Sequence, residues 1–173
     1  MTVQNRPILL NSCARAATAA EARFRINAPI VPARATRVVA LDAGAEIVVR
    51  RVAQRQWVAA RFFTCETRPL LAQSDGNVAD VVLRSIDGSE SWLSEELIGA
   101  DVAVMIATAN DGAAMASAIG DACTLRGIMT AGLVLAEGHD ANAAVSALRP
   151  YARVIMVTYD DNDVSEVLTA LRA

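Results

Sequence analysis

Lysine is absent from this chain, and all sixteen of its basic residues are arginine. We read that uniformity as genome composition and assign no function to it. Three cysteines, Cys13, Cys65 and Cys123, stand far apart with no C-x-x-C spacing, which excludes a zinc-cluster pattern and a disulfide framework. Free thiols in a cytoplasmic setting follow, and no metal site is expected. Aromatic residues make up 4% of the chain, and Phe24 alone interleaves with the N-terminal arginines. A nucleic-acid surface, which combines basic clusters with aromatic platforms, is therefore not indicated. Uncharged runs such as Val102 to Asn110 and Gly112 to Gly120 stop well short of the roughly 18 residues needed to cross a bilayer. No solenoid period is visible.

What the sequence does hold is apolar surface, 54% of 173 residues, enough for one sizeable core. Its charge is unevenly spread. Residues 1 to 37 carry six arginines against Glu21 alone, while the rest sets ten arginines against eighteen acids. Such asymmetry marks a basic arm. An arm laid across the acidic body of its own or a neighbouring subunit fits this balance, so a homo-oligomer is expected. The same stretch, rich in Arg and poor in acids, also has the composition of a transit peptide. Within it "SCARAATAAEARF" (12 to 24) opens on Ser12, a good helix cap, and "NAPIVPARA" contains the helix breakers Pro29 and Pro32. We divide the chain into an N-terminal arm with a short helix and a proline linker, residues 1 to 35, and an α/β domain, residues 36 to 173.

From Thr36 onward, apolar runs alternate with amphipathic ones. Strands are expected at 36 to 43, 58 to 66, 78 to 86, 101 to 108, 128 to 136 and 152 to 160. Helices are expected at 45 to 57, at 87 to 100 with Ser89 as cap and Gly99 as stop, in the stretch quoted below, at 139 to 151 and at 162 to 173. Continuous rather than alternating apolar strands require a sheet covered on both faces. The expected fold is thus a doubly wound, mostly parallel, Rossmann-like α/β sheet of about six strands.

The stretch "ATANDGAAMASAIGDACTLRG" (107 to 127) joins two of these strands. Its small residues suit a crossover helix packed closely on a sheet, which accounts for the helix but not for "TANDG" at the carboxyl end of a strand, where such sheets place ligands. The order "RVVALDAGAEIVVRRVAQ", "ARFFTCETRPLLAQS", "IGADVAVMIATANDGAAMASAIGDACTLRGIMTAGLVLAEG" and "ALRPYARVIMVTYDD" resembles the nucleotide-binding half of FtsZ, the bacterial cell-division homologue of tubulin. The resemblance covers about four fifths of the chain and lies mainly in apolar pattern and small residues. It implies a guanine-nucleotide fold whose phosphate loops are glycine runs. Here "LDAGAEI" keeps only Gly44 of the first loop and "ANDGAAM" only Gly112 of the signature loop. The family's later catalytic acidic loop and second domain have no counterpart in these 173 residues. The resemblance therefore implies a reduced, non-hydrolysing relative.

Several residues invite a role, each with a plainer alternative. Asp42 and Gly44 after a first strand, with Glu66 at the end of the second, follow the order in which dinucleotide folds hold pyrophosphate and ribose, and NAD is a second candidate ligand. A generic strand-to-helix turn explains the same residues. The stretch also faintly resembles the first motif of methyltransferases that use S-adenosylmethionine, without its second glycine. Thr108, Asn110, Asp111, Gly112 and Ala113 sit at a helix start whose free amides favour anions, although Asp111 can satisfy those amides itself as a cap. His139 is the only histidine. It is a candidate proton carrier, or a capping or exposed residue. "YDDND" (159 to 163) lacks the glycine and terminal glutamate of a calcium loop, leaving Asp161 or Asn162 as an N-cap. Cys65 and Cys123 read as core residues, and Trp57 and Trp92 as packing anchors or parts of a subunit surface.

The expectation is a non-hydrolysing nucleotide- or small-ligand-binding module. Two rivals stand beside it: a small enzyme on a nucleotide or small acid using His139, and an oligomer-forming structural protein.

Overall fold

Residues 32–65, 81–108, 112–136 and 142–173 are described by the computed structural model. Thr36–Ala40 forms β1 with every residue buried, Arg37 included, as expected of a β-branched strand inside a doubly covered sheet. Ala43–Val52 forms α1, followed by β2 (Ala60–Cys65), β3 (Val82–Ser85), β4 (Glu90–Trp92) and the single turn α2 (Leu93–Glu96). Then come β5 (Val102–Ala107), α3 (Ala113–Arg126), β6 (Met129–Leu135), α4 (Asn142–Leu148), β7 (Val154–Thr158) and α5 (Asp161–Leu171). The seven strands make one sheet in the order β4-β3-β2-β1-β5-β6-β7. All neighbours from β2 through β1, β5 and β6 to β7 are parallel, whereas β3 runs antiparallel to both β2 and β4.

The α/β sheet is thus mostly parallel, with seven strands where about six were expected. The additional strand is a hairpin partner in the segment 87 to 100, where the sequence predicts a helix capped by Ser89. Asp87 and Gly88 form a tight turn instead. Gly88 has φ of 92°, the left-handed region that glycine enters without steric cost, and its amide donates to the Ser85 carbonyl at 2.9 Å. Ser85 N–H donates to Ser89 O at 2.8 Å. The Ser89 hydroxyl and amide donate to Asp87 Oδ1 at 2.7 and 2.9 Å and hold that carboxyl below its ordinary pKa. A short Asp-Gly turn between apolar residues favours a hairpin, and it prevails over the helical spacing that follows, of which only α2 survives.

The two faces of the sheet carry separate cores. On one, Val38, Ala40, Val104, Ile106, Leu133 and Leu135 pack against Ala45, Val49 and Val52 of α1 and Val164 and Leu168 of α5. On the other, Val39, Leu41, Phe63, Met105 and Val134 pack against Ala116, Ile119 and Cys123 of α3 and Leu148 of α4. The helix that follows β1 and the helix that follows β5 therefore lie on opposite faces, while β1 and β5 are hydrogen-bonded neighbours. This is the topological switch point at which open α/β sheets form their crevice.

At the amino ends of the strands Arg37 of β1 is almost wholly buried. Its Nε donates to the Glu96 carbonyl at 2.7 Å, and the Glu96 carboxylate pairs with Arg61 at 2.7 Å. Burial, with Arg61 adding to it, lowers the Arg37 pKa, against the opposing pull of Glu96 and Asp101. Arg61 in turn lies over the Phe63 ring, 5.5 Å from its centroid. This charged cluster joins α2 to the sheet at the end opposite the switch point. Arg34 and Ala35, ahead of β1, are already tied down, through Arg172 O at 2.9 Å and Asp101 Oδ2 at 2.8 Å. Among the described residues no helix is long and apolar enough to cross a membrane.

Candidate functional site

At the carboxyl end of β1, Leu41 continues the ladder by donating its amide to Ile106 O at 2.9 Å. Asp42 then leaves the strand in an extended conformation, with φ of −145°, and becomes the N-cap of α1. Its Oδ1 accepts the Ala45 amide at 2.8 Å, satisfying one of the free N–H groups of the first turn. The same carboxylate reaches across to β5. Thr108 donates its amide to Asp42 Oδ2 at 2.7 Å and its hydroxyl to Oδ1 at 2.6 Å. One acidic side chain thus caps a helix and clasps two neighbouring strand ends.

The glycines explain how closely the pieces approach. A Cβ at Gly44 would collide with Thr108 Oγ1, so the clasp requires glycine in the first turn of α1. A Cβ at Gly112 would stand 2.5 Å from Leu41 Cβ and 3.1 Å from Leu41 O, so glycine lets the start of α3 rest directly on the end of β1. Gly112 is the N-cap of α3, with no side-chain cap and no acidic residue in the first turn. Ala113, next in line, is exposed.

Of the residues singled out in the sequence, Asp42, Gly44, Thr108, Gly112 and Ala113 are thereby placed at the adjoining ends of β1, β5, α1 and α3. Glu66, Asn110, Asp111 and His139, and with them Cys13, lie outside the described residues. Sequence reasoning missed Leu41, whose Cβ and carbonyl are the floor under Gly112. It also missed Tyr151, whose ring occupies the space a Cβ at Gly120 would need and whose hydroxyl lies 3.0 Å from Ser117 Oγ. A glycine inside a helical pattern was the available signal for that close approach. The α5 cap is Asp160, whose side chain accepts the Asn162 amide at 2.8 Å, one residue earlier than expected. Trp57 is half-buried against Phe62 and donates Nε1 to Val52 O at 3.0 Å. Trp92 closes β4 and is half exposed.

The electrostatics at the strand ends are uneven. The positive end of α1 is neutralised by Asp42, whereas the positive end of α3 carries no side-chain counterpart among the described residues. Burial pushes the Cys65 thiol up to about 12 and the Cys123 thiol up to about 11, so neither is a thiolate nucleophile at neutral pH. Among the described residues no three His, Cys, Asp or Glu side chains are grouped to hold a metal ion. No family model matches the chain, and neither a curated protein nor a solved structure shows significant similarity to it.

Proposed function

We propose that this chain is a non-hydrolysing nucleotide- or small-ligand-binding module, a reduced FtsZ-like domain, whose anionic group is held at the start of α3 rather than of α1. One observation carries this reading: at the switch point of the sheet, α1 already holds a carboxylate at its amide end, and α3 begins at Gly112, which has no side chain of its own to cap it and is pressed against Leu41. Helix N-termini bind anions through free amides and the helix dipole. An incoming phosphate at α1 meets the Asp42 charge, whereas the first turn of α3, among the described residues, offers exposed Ala113 and no acid. Asp42 and Thr108 then serve as the rigid wall beside the ligand. Guanine nucleotides lead the candidates through the FtsZ resemblance, and NAD follows through the order of Asp42, Gly44 and Glu66.

The test is a thermal-shift screen of the full chain against GTP, GDP, ATP, NAD, NADP, FAD and S-adenosylmethionine, repeated on Ala113→Glu. A ligand at about 100 times its Kd adds about 2.7 kcal/mol, or about 5–10 °C for a chain of this size. The glutamate places a negative charge in the first turn of α3. It is expected to raise the melting temperature of the free protein slightly, by about 0.3–1 kcal/mol of stability, and to remove the ligand shift. A shift confined to guanine nucleotides supports the tubulin-like reading, and one confined to dinucleotides moves the chain to that class. Absence of any shift, or a shift that Ala113→Glu leaves intact, rejects binding at α3.

A further inference from the structure

β7 ends the sheet, so one side of its backbone ladder has no neighbour among the described strands. Natural edge strands are usually blunted by lysine, proline, inward charges or bulges. The strand "VIMVT" has no charge and no proline. Val154 is 61% exposed and Val157 44% exposed, and Tyr159 just beyond the strand is 76% exposed. The two valines lie on opposite faces. Val154 pairs with Ala131 on the α5 side, and Val157 with Val134 on the α3 and α4 side. Ile155 and Met156 between them pack against the two cores, so the exposure is confined to the outer positions Val154 and Val157.

The charges flanking β7 select the partner. Exposed Arg153 precedes the strand and exposed Asp160 follows it. If two β7 strands ran parallel, Arg153 would meet Arg153 and Asp160 would meet Asp160. If they run antiparallel about a two-fold axis at Met156, Arg153 of each copy stands opposite Tyr159 of the other and next to its Asp160, at both ends of the seam. A cation over an aromatic ring stabilises directly opposed neighbours, opposite charges gathered at a strand's end attract at longer range, and like charges directly opposite destabilise the pair. We infer that a second copy of this chain docks antiparallel on β7, extending one sheet through both subunits. The contact is isologous and closes on itself. Because the axis stands perpendicular to the sheet, the two α5 helices flank the seam on one face and the two α4 helices on the other, enclosing Val154 and Val157.

This inference is independent of any ligand, and it is tested on the full chain by light scattering after size exclusion, with hydrogen exchange followed across dilution. The expected result is twice the chain mass, with residues 153 to 159 losing protection as the dimer dissociates. Val154→Lys and Val157→Lys should each raise the dissociation constant at least tenfold. Val58→Lys, at an apolar position 86% exposed elsewhere, should leave it unchanged. Should either strand variant fail to fold by circular dichroism, Arg153→Glu at an exposed position gives the same reading, since it opposes like charges across the seam. A wild-type monomer at all concentrations overturns the inference, including one in which another segment of the same chain protects β7. A dimer that survives a folded strand variant, or one that Val58→Lys also dissociates, overturns it as well.

Discussion

Asp42 and Thr108 are 66 residues apart in the chain and joined by two hydrogen bonds, from the threonine amide and from its hydroxyl, at 2.7 and 2.6 Å. The aspartate also caps α1. The central crevice of the sheet is therefore closed on one side by an internal anion. That arrangement distinguishes the two helix N-termini that meet there, and it makes the clasp the first feature to probe.

Replacing Asp42 with alanine removes the cap, which costs about 0.5–2 kcal/mol, and strands the Thr108 amide, which costs about 1–3 kcal/mol if it stays dry. We expect a total loss of about 2–4 kcal/mol. Asp42→Asn keeps the cap but turns an amide N–H₂ toward one of the Thr108 donors, so its loss should fall between wild type and alanine. Urea unfolding followed by circular dichroism measures both. A shift in the midpoint at constant slope is the expected form, and an alanine variant within about 0.5 kcal/mol of wild type shows that the clasp contributes little.

Gly44→Ala puts a methyl group where Thr108 Oγ1 stands. Overpacking of this kind costs about 1–3 kcal/mol, even though alanine is the better helix former. Thr108→Ala removes the obstructing hydroxyl and leaves Thr108 Cβ, 3.1 Å from the built methyl, as a milder contact. In that background Gly44→Ala should cost less than about 1 kcal/mol, the helix propensity gain offsetting the remaining contact. The double-mutant cycle should yield a coupling of about 1 kcal/mol or more. Additive single effects would mean that the close approach of α1 to β5 is looser than the geometry requires.

The layered architecture was legible because β5 and β6, and β1 from Val38 on, are uncharged and largely apolar runs, and a sheet covered on both sides is what such strands require. The β3–β4 hairpin was not, since a three-residue strand such as Glu90–Trp92 is too short for its period to outweigh the helical spacing of the residues that follow. At the site, position was legible and role was not. Gly44 has the local context of a phosphate loop, and glycine there serves equally to admit a side chain from a distant strand. Asp42 reads as a turn residue, and nothing near it in the chain announces Thr108 as its second partner. Gly120 carries a similar lesson, because Tyr151, the residue that demands its missing Cβ, arrives only after another strand and helix.

The two described cysteines contribute to the response to alkali. Burial alone raises the Cys65 thiol from 9.0 to about 12. Burial also raises Cys123 from 9.0 to about 11, against a smaller opposing effect of Arg126. Each thiol is neutral in both folded and unfolded chains well below pH 9, so its contribution to stability is complete there. Above pH 9 the unfolded thiol ionises while the folded one does not, the unfolded state binds fewer protons, and stability falls with pH. The loss continues until the folded groups titrate, near pH 11 for Cys123 and near pH 12 for Cys65. Urea midpoints should therefore stay level from pH 7 to about 8.5 and decline above 9. Replacing both residues with alanine should lower stability at neutral pH, through lost packing, and flatten the alkaline slope. A thiol-specific chromogenic reagent should label buried Cys123 only as the protein unfolds, and half-buried Cys65 only slowly in the native state. Rapid labelling of either at pH 7.5 in the native state would show that its thiol is open to solvent and ionises far more readily than burial allows.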